Sequence, residues 1–104
     1  MLKELKPNEF ETLVKGEDKA VVLKFTAGWC SGCQQLAPVV ENVAEKIEDV
    51  VFYDVDVDNS LEFAQQQYGI MSIPTLILFK NGEEIDRVTN PEVTEDTIVA
   101  FAKR

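Results

Sequence analysis

Residues 20–33 read AVVLKFTAGWCSGC, and within this stretch an apolar run passes directly into the start of a helical pattern. The run from Ala20 to Thr26 is rich in β-branched and apolar residues, which predicts a strand covered on both faces. Cys30 and Cys33 follow where the helix should begin. Unpaired N–H groups and the positive end of the helix dipole make a thiol at that position lose its proton more easily. We therefore predict that Cys30 is a nucleophile.

The spacing of the two cysteines allows them to form a disulfide. Cys33 lies one helical turn beyond Cys30, where Cα atoms are roughly 5 Å apart, a separation that a disulfide can bridge. We predict that Cys33 resolves a mixed disulfide formed at Cys30. A lone Cys-X-X-Cys is a weak signal, and metal or iron–sulfur binding by two chains that share their cysteine pairs is an alternative.

Composition narrows the function further. The 104 residues suffice for one modest core, so we expect a single domain over residues 1–104. A formal charge of −9 argues against nucleic acid and anionic membranes as partners. The lack of histidine removes Cys–His catalysis and the commonest metal ligand, and two cysteines supply only half of a structural zinc site. We expect no metal, no cofactor and a cytoplasmic location, since the sequence shows no signal-peptide pattern.

The other segments alternate between strand and helix patterns. Pro7 opens a helix that Gly16 ends, and residues 1–5 before it are too short to assign alone. Further predicted elements are a helix after Cys33 with a kink at Pro38, a strand over 50–57, a helix capped by Ser60, a strand over 75–79, an Asn81-Gly82 hairpin turn, a strand over 84–88, and a helix beginning at Thr94. This order predicts an α/β fold with helices on both faces of a mixed sheet.

Several short motifs occur in a characteristic order along the chain. They are Phe25-Thr26-Ala27-Gly28-Trp29-Cys30 with Cys33, Leu36-Ala37-Pro38, Tyr68-Gly69-Ile70, Ile73-Pro74-Thr75 and Phe79-Lys80-Asn81-Gly82. Together they resemble the thioredoxin family across nearly the whole chain. The resemblance implies the thioredoxin fold, a central mixed five-stranded sheet flanked by four helices on both faces. It also implies a cis peptide bond between Ile73 and Pro74.

The resemblance implies an activity as well. It is that of a thiol–disulfide oxidoreductase, which reduces disulfide-containing protein substrates and receives electrons from a flavoprotein thioredoxin reductase. Trp29, Ile73 and Pro74 would form an apolar platform beside Cys30 where a substrate peptide lies. We expect a monomer. The alternative is a thioredoxin-fold binding subunit whose redox activity is secondary.

Two departures from the family pattern lie close to the cysteines. The usual Gly-Pro between them is replaced by Ser31-Gly32. Gly32 restores an N–H that can donate to the Cys30 thiolate, while the Ser31 hydroxyl either reaches a sulfur or simply starts the helix. Asn90 replaces a glycine of the loop beside the active site, and asparagine tolerates left-handed dihedrals. We expect the turn to persist and Asn90 to limit how closely a substrate backbone approaches.

Lys24 is the third departure, because an unpaired ammonium inside a covered strand costs several kcal/mol. Thioredoxins commonly carry a buried aspartate at this position, which accepts a proton when the second cysteine attacks, and a lysine on the neighbouring strand. Asp54 stands where that lysine would be, so we predict a swapped pair of Lys24 with Asp54 in which Asp54 takes the proton from Cys33. The alternative is a Lys24 that pairs or snorkels without effect on rate.

Overall fold

Five strands form one mixed sheet in the computed structural model, which describes all 104 residues. The strands are β1 (Lys3–Glu4), β2 (Ala20–Thr26), β3 (Val50–Asp56), β4 (Thr75–Lys80) and β5 (Glu83–Thr89). Their order across the sheet is β1-β3-β2-β4-β5, so the predicted strand β2 is central. It pairs in parallel with β3 and antiparallel with β4, which confirms the mixed sheet.

The helical segments lie where the sequence predicts them, although two are not regular α-helices. α1 (Ser31–Lys46) and α2 (Glu95–Ala102) are α-helical. The first predicted helix is a 3₁₀ turn, Pro7–Glu9, that continues as a π-helical segment, Glu11–Lys15, and Gly16 ends it. The third is π-helical over Phe63–Gln67. Helix α1 continues through Pro38 without interruption.

Alternating side chains of the central strand divide the core into two layers. Val21, Leu23 and Phe25 of β2 face the layer beneath the two π-helical segments, whereas Val22 faces α1 and α2. The first layer is rich in aromatic rings, in which Phe10 packs edge-on against Phe63 and Phe79. A two-layer core of this kind holds the carboxyl end of β2 and the start of α1 in fixed positions.

The predictions made from short turn and cap signals are only partly confirmed by the structure. Asn81 and Gly82 have φ angles of 54° and 79°, the left-handed pair expected of the hairpin turn. The Thr94 side chain accepts a hydrogen bond from Thr97 N at 3.2 Å and so caps α2, the helix predicted to begin at this residue. The Ser60 prediction is wrong, because its buried hydroxyl has no hydrogen-bond partner. No helix in the structure is both long enough and apolar enough to cross a bilayer.

Candidate redox site

The reactive pair lies at the junction between β2 and α1. The chain leaves the sheet after Thr26, turns through the next three residues and enters α1 with Cys30 as the N-cap. Cys30 has extended dihedrals, φ −92° and ψ 110°, and its Sγ accepts a hydrogen bond from Cys33 N at 3.2 Å. The sulfur therefore occupies the place where a capping side chain meets the positive end of the helix dipole.

Cys30 and Cys33 form a disulfide, with their Cα atoms 5.2 Å apart. Both sulfurs belong to a small apolar cluster with Ala27. Cys30 is 9% exposed and lies at the edge of a surface groove, whereas Cys33 is 2% exposed and lines a cavity on the other side. A disulfide in a substrate can therefore reach Cys30 before it can reach Cys33.

The dipeptide between the cysteines lies at the start of α1. In the disulfide form the backbone N–H that binds Cys30 Sγ belongs to Cys33, and the Gly32 donor, which was predicted for the thiolate, stays a prediction. A Cβ added at Gly32 would lie 3.7 Å from Pro74 Cδ, an ordinary van der Waals contact, so packing against Pro74 does not require glycine. Ser31 is an exposed first residue of α1, and its hydroxyl makes no hydrogen bond to a sulfur.

A groove of about 380 Å³ opens beside Cys30 and is lined mainly by apolar side chains. Trp29 forms one wall and is 70% exposed, so this side chain is not part of the core. Its indole Nε1 donates a hydrogen bond to Asp58 Oδ2 at 2.8 Å. The sequence reasoning missed Asp58, although an exposed indole N–H beside a reactive sulfur signals a need for an acceptor.

The other predicted substrate contacts are divided between the groove and its support. Ile73 lines the groove, and its carbonyl oxygen lies 3.8 Å from Cys30 Sγ. The Ile73–Pro74 bond is cis, as the resemblance implied, but Pro74 is buried and does not line the groove. Asn90 adopts the expected left-handed conformation, φ 50°, and its N–H donates to Pro74 O at 2.8 Å. Asn90 therefore holds the loop from behind the groove.

A second cavity, of about 360 Å³, lies below Cys33 and contains the predicted charge pair. Lys24 and Asp54 are opposite each other in the register of β2 and β3, and Lys24 Nζ lies 3.1 Å from Asp54 Oδ1. The Lys24 side chain is 2% exposed and that of Asp54 is 22% exposed. Cys33, Lys24 and Asp54 all line the same cavity, so the predicted pair is in contact beneath the disulfide.

The surroundings of Asp54 raise the pKa of its carboxyl above the ordinary value. Burial raises the pKa of the Asp54 carboxyl, and the positive charge of Lys24 opposes this increase. The negative charges of Glu41 and Glu4 raise the pKa further. Asp54 Oδ1 is buried and faces the Lys24 ammonium at 3.1 Å without a well-aligned hydrogen bond. A carboxyl with these properties is suited to exchange protons with a thiol in the same cavity.

Comparisons with known proteins agree with this architecture. The family model Thioredoxin matches residues 1–104. The chain is 38% identical over 95 residues to Thioredoxin-2 of Saccharomyces cerevisiae, an alignment that covers 89% of this chain and 90% of the yeast protein. It is 46% identical over 83 residues to Thioredoxin of Chlamydia trachomatis, with 80% of each chain covered. The crystal structure of Fasciola hepatica thioredoxin superposes with a TM-score of 0.86 at 31% identity and covers 100% of this chain and 98% of that one.

The fold and the paired cysteines define a thiol–disulfide oxidoreductase of the protein-disulfide reductase class. With the family model matched over its full length, the chain belongs to the thioredoxin family. Its redox-active centre is the Cys30–Cys33 disulfide. Neither the fold nor the comparisons favour the alternative of a binding subunit with secondary redox activity.

Proposed function

We propose that the chain is a general reductase of protein disulfides in which Cys30 attacks the substrate and Cys33 resolves the intermediate. The observation that carries this assignment is the difference in access between the two sulfurs. Cys30 is 9% exposed at the edge of the groove, while Cys33 is 2% exposed and faces inward. The Cys33 N–H and the start of α1 also stabilise negative charge on Cys30 Sγ rather than on Cys33 Sγ.

The reaction proceeds in two exchanges. The Cys30 thiolate attacks one sulfur of the substrate disulfide, which forms a mixed disulfide and releases the other substrate sulfur as a thiolate. Cys33, after losing its proton, attacks Cys30 Sγ and displaces the second substrate thiolate. The substrate gains two electrons, and the chain is left with the Cys30–Cys33 disulfide found in the structure.

In this proposal, Asp54 accepts the proton that Cys33 loses in the second exchange, either directly or through a water molecule. Two features support the role: Asp54 shares a cavity with Cys33, and its pKa is raised by burial. Lys24 is then a positioning residue, because its ammonium holds Asp54 at 3.1 Å and faces the same cavity. A cation there stabilises a thiolate, so we expect a reduction potential above the roughly −270 mV of a typical thioredoxin.

The remaining parts of the proposal concern the cellular setting. The electron donor is a flavoprotein thioredoxin reductase, which returns the Cys30–Cys33 disulfide to the dithiol. The chain works as a monomer in the cytoplasm. Membership of the thioredoxin family supports a reductase partner in general, and the acidic surface, with a formal charge of −9, favours a dispersed monomer.

Insulin reduction tests the proposal. The wild-type chain should reduce insulin when a thioredoxin reductase and NADPH are supplied, and both Cys30→Ser and Cys33→Ser should abolish turnover. Only Cys33→Ser should accumulate a covalent complex with substrate, visible as a mass increase that dithiothreitol reverses. A complex that accumulates with Cys30→Ser instead would reverse the two roles. Activity with dithiothreitol but not with the reductase would refute the proposed electron donor.

A further inference from the structure

The segments that surround Cys30 carry no lysine or arginine. Residues 25–45, 47–79 and 88–102 contain no basic side chain, and the loops around the groove all belong to these stretches. Lys24, which precedes the first stretch, is buried and paired with Asp54. Arg87 donates a hydrogen bond to Tyr68 O at 2.9 Å, but Glu84 neutralises its guanidinium with two hydrogen bonds. The groove therefore opens on a surface without a free positive charge.

Two carboxylates border this surface, and we call them the acidic rim: Asp58 and Glu62. Asp58 lines the groove. Glu62 lines an adjoining surface hollow, which shares Asp58 and Leu61 with the groove. Neither carboxylate is within ion-pair distance of a cation. No basic side chain therefore neutralises the rim.

The groove inside the rim exposes an unusual amount of apolar surface. Trp29 is 70% exposed, Leu61 is 51% exposed and Met71 is 96% exposed, and all three line the groove beside Cys30. They are half of the six large apolar side chains that are exposed in the whole chain. Exposed apolar side chains gathered in one place mark a binding surface, whereas scattered ones do not.

We propose that this groove selects substrate disulfides whose neighbouring residues are apolar and basic, and that the acidic rim disfavours acidic segments. This inference rests on the proposed function, since it names the substrates that Cys30 attacks. The apolar side chains give contact area, while the rim attracts lysine or arginine beside the substrate cysteine and repels aspartate or glutamate. Charges act across roughly 8 Å at physiological salt, so the selection applies to residues next to the disulfide.

Three synthetic peptides test the inference. Each has one disulfide, and they differ only in the two residues that flank one cysteine, which are Lys, Gln or Glu. The reduced wild-type chain is mixed with each peptide without a reductase, and quenched samples give a second-order rate constant. Each constant is divided by the rate with dithiothreitol, a small thiol that has no groove or rim, which corrects for the intrinsic reactivity of the peptide toward a thiolate. We expect the Lys peptide to react about tenfold faster than the Glu peptide at low salt, and about threefold faster at high salt.

Two matched variants distinguish the effect of the rim from the effect of net charge. Glu62→Lys changes the rim, whereas Glu45→Lys changes an exposed, unpaired carboxylate near the far end of α1. The 16 residues of α1 span about 24 Å, so Glu45 is far from Cys30. Both variants change the formal charge by the same amount. The rim variant should reduce the preference for Lys to about twofold or less, and the control should keep most of it.

The outcomes also separate this inference from the proposed function. If the neutral Gln peptide is not reduced at all, the proposed reductase activity is wrong. If it is reduced but the Lys and Glu peptides react equally after correction, the selection by charge is wrong while the activity stands. An equal loss of preference in both variants also overturns the inference, because the effect would then come from net charge and not from the rim.

Discussion

The two sulfurs of one disulfide face opposite environments. On the Cys30 side, the groove is open and apolar, and its one charged residue, Asp58, is hydrogen-bonded to Trp29. On the Cys33 side, the cavity contains a buried ion pair between Lys24 and Asp54. The difference shows that substrate contact and proton transfer are assigned to different sides of the same helix start. Changes on one side should therefore alter binding, and changes on the other should alter the resolving step.

Breaking the ion pair below Cys33 should have the largest effect on stability. Asp54→Val leaves the Lys24 ammonium buried without a partner, which should lower the free energy of unfolding by about 3 kcal/mol. The double variant Lys24→Met/Asp54→Val removes both charges and should recover stability to within about 1 kcal/mol of wild type. Urea unfolding of the oxidised protein measures both values. A single variant as stable as the wild type would mean that Lys24 reaches solvent without Asp54.

The rate of the resolving step should depend on pH through Asp54, which lies in the cavity below Cys33 and not in the groove. Burial raises the pKa of Asp54, so as pH falls through that pKa the carboxyl becomes protonated and accepts no further proton. The rate at which Cys33 releases substrate should therefore fall on the acidic side. Asp54→Asn should remove the part of this dependence that belongs to Asp54, leave the part that comes from deprotonation of the Cys33 thiol, and slow release about tenfold at neutral pH, less than the usual general-base effect because water can substitute. Single-turnover release from a preformed mixed disulfide measures the rate.

Glu45→Gln is the control for the pH experiment, because Glu45 is exposed and far along α1 from both cysteines. It should keep the wild-type rate and the wild-type pH profile. An unchanged profile in Asp54→Asn would remove Asp54 from the proton transfer.

Removing the hydrogen bond between Trp29 and Asp58 in the groove wall should weaken substrate binding and leave the resolving step unchanged. Trp29→Phe keeps an aromatic ring but loses the donor to Asp58, so kcat/KM for a peptide disulfide should fall about fivefold, equivalent to about 1 kcal/mol. Asp58→Asn keeps an acceptor and should cost less. Neither variant should change the release rate of Cys33. Stopped-flow reduction of one peptide over a concentration series separates the two steps, and a slower release in Trp29→Phe would contradict the division between the two sides.

The smallest expected effect concerns the loop that supports the groove. Asn90 has a φ of 50°, a conformation that glycine adopts more easily and alanine less easily. Asn90→Gly should change the free energy of unfolding by no more than about 0.5 kcal/mol, and Asn90→Ala should lower it by about 1 kcal/mol. Peptide reduction should stay near wild type in both, because Asn90 does not line the groove. A large loss of activity in Asn90→Gly would place Asn90 in direct contact with substrate.

Sequence was sufficient where a pattern is local and repeated. The apolar run of β2, the Asn81-Gly82 turn and the Thr94 cap each depend on neighbouring residues, and the structure has all three. The sequence alone did not assign β1, because its two residues, Lys3 and Glu4, gain their strand geometry only by pairing with β3. The sequence also could not predict that two segments are π-helical, because their apolar spacing is close to that of an α-helix.

The residues of the site also fall into those that the sequence predicted and those that it did not. Cys30 and Cys33 follow from spacing, and Lys24 stands out as a charge in a covered strand. Its partner Asp54 followed from the resemblance to the thioredoxin pattern, in which a lysine occupies that position. The partner of Trp29 did not follow, because Asp58 is 29 residues away in sequence and only the fold brings it near. The Gly32 donor predicted for the thiolate stays a prediction, because in the disulfide form Cys30 Sγ accepts from the N–H three residues on, that of Cys33.

The two outer strands of the sheet are poorly suited to pairing with a strand of another protein. One edge is β1, which is only two residues long and has two charged side chains, Lys3 and Glu4. The other is β5, whose Glu83, Glu84 and Asp86 make it an acidic edge. Short and charged edges do not template a foreign strand. A protein that attacks the disulfides of partly unfolded chains would thus release them without starting aggregation along its own sheet.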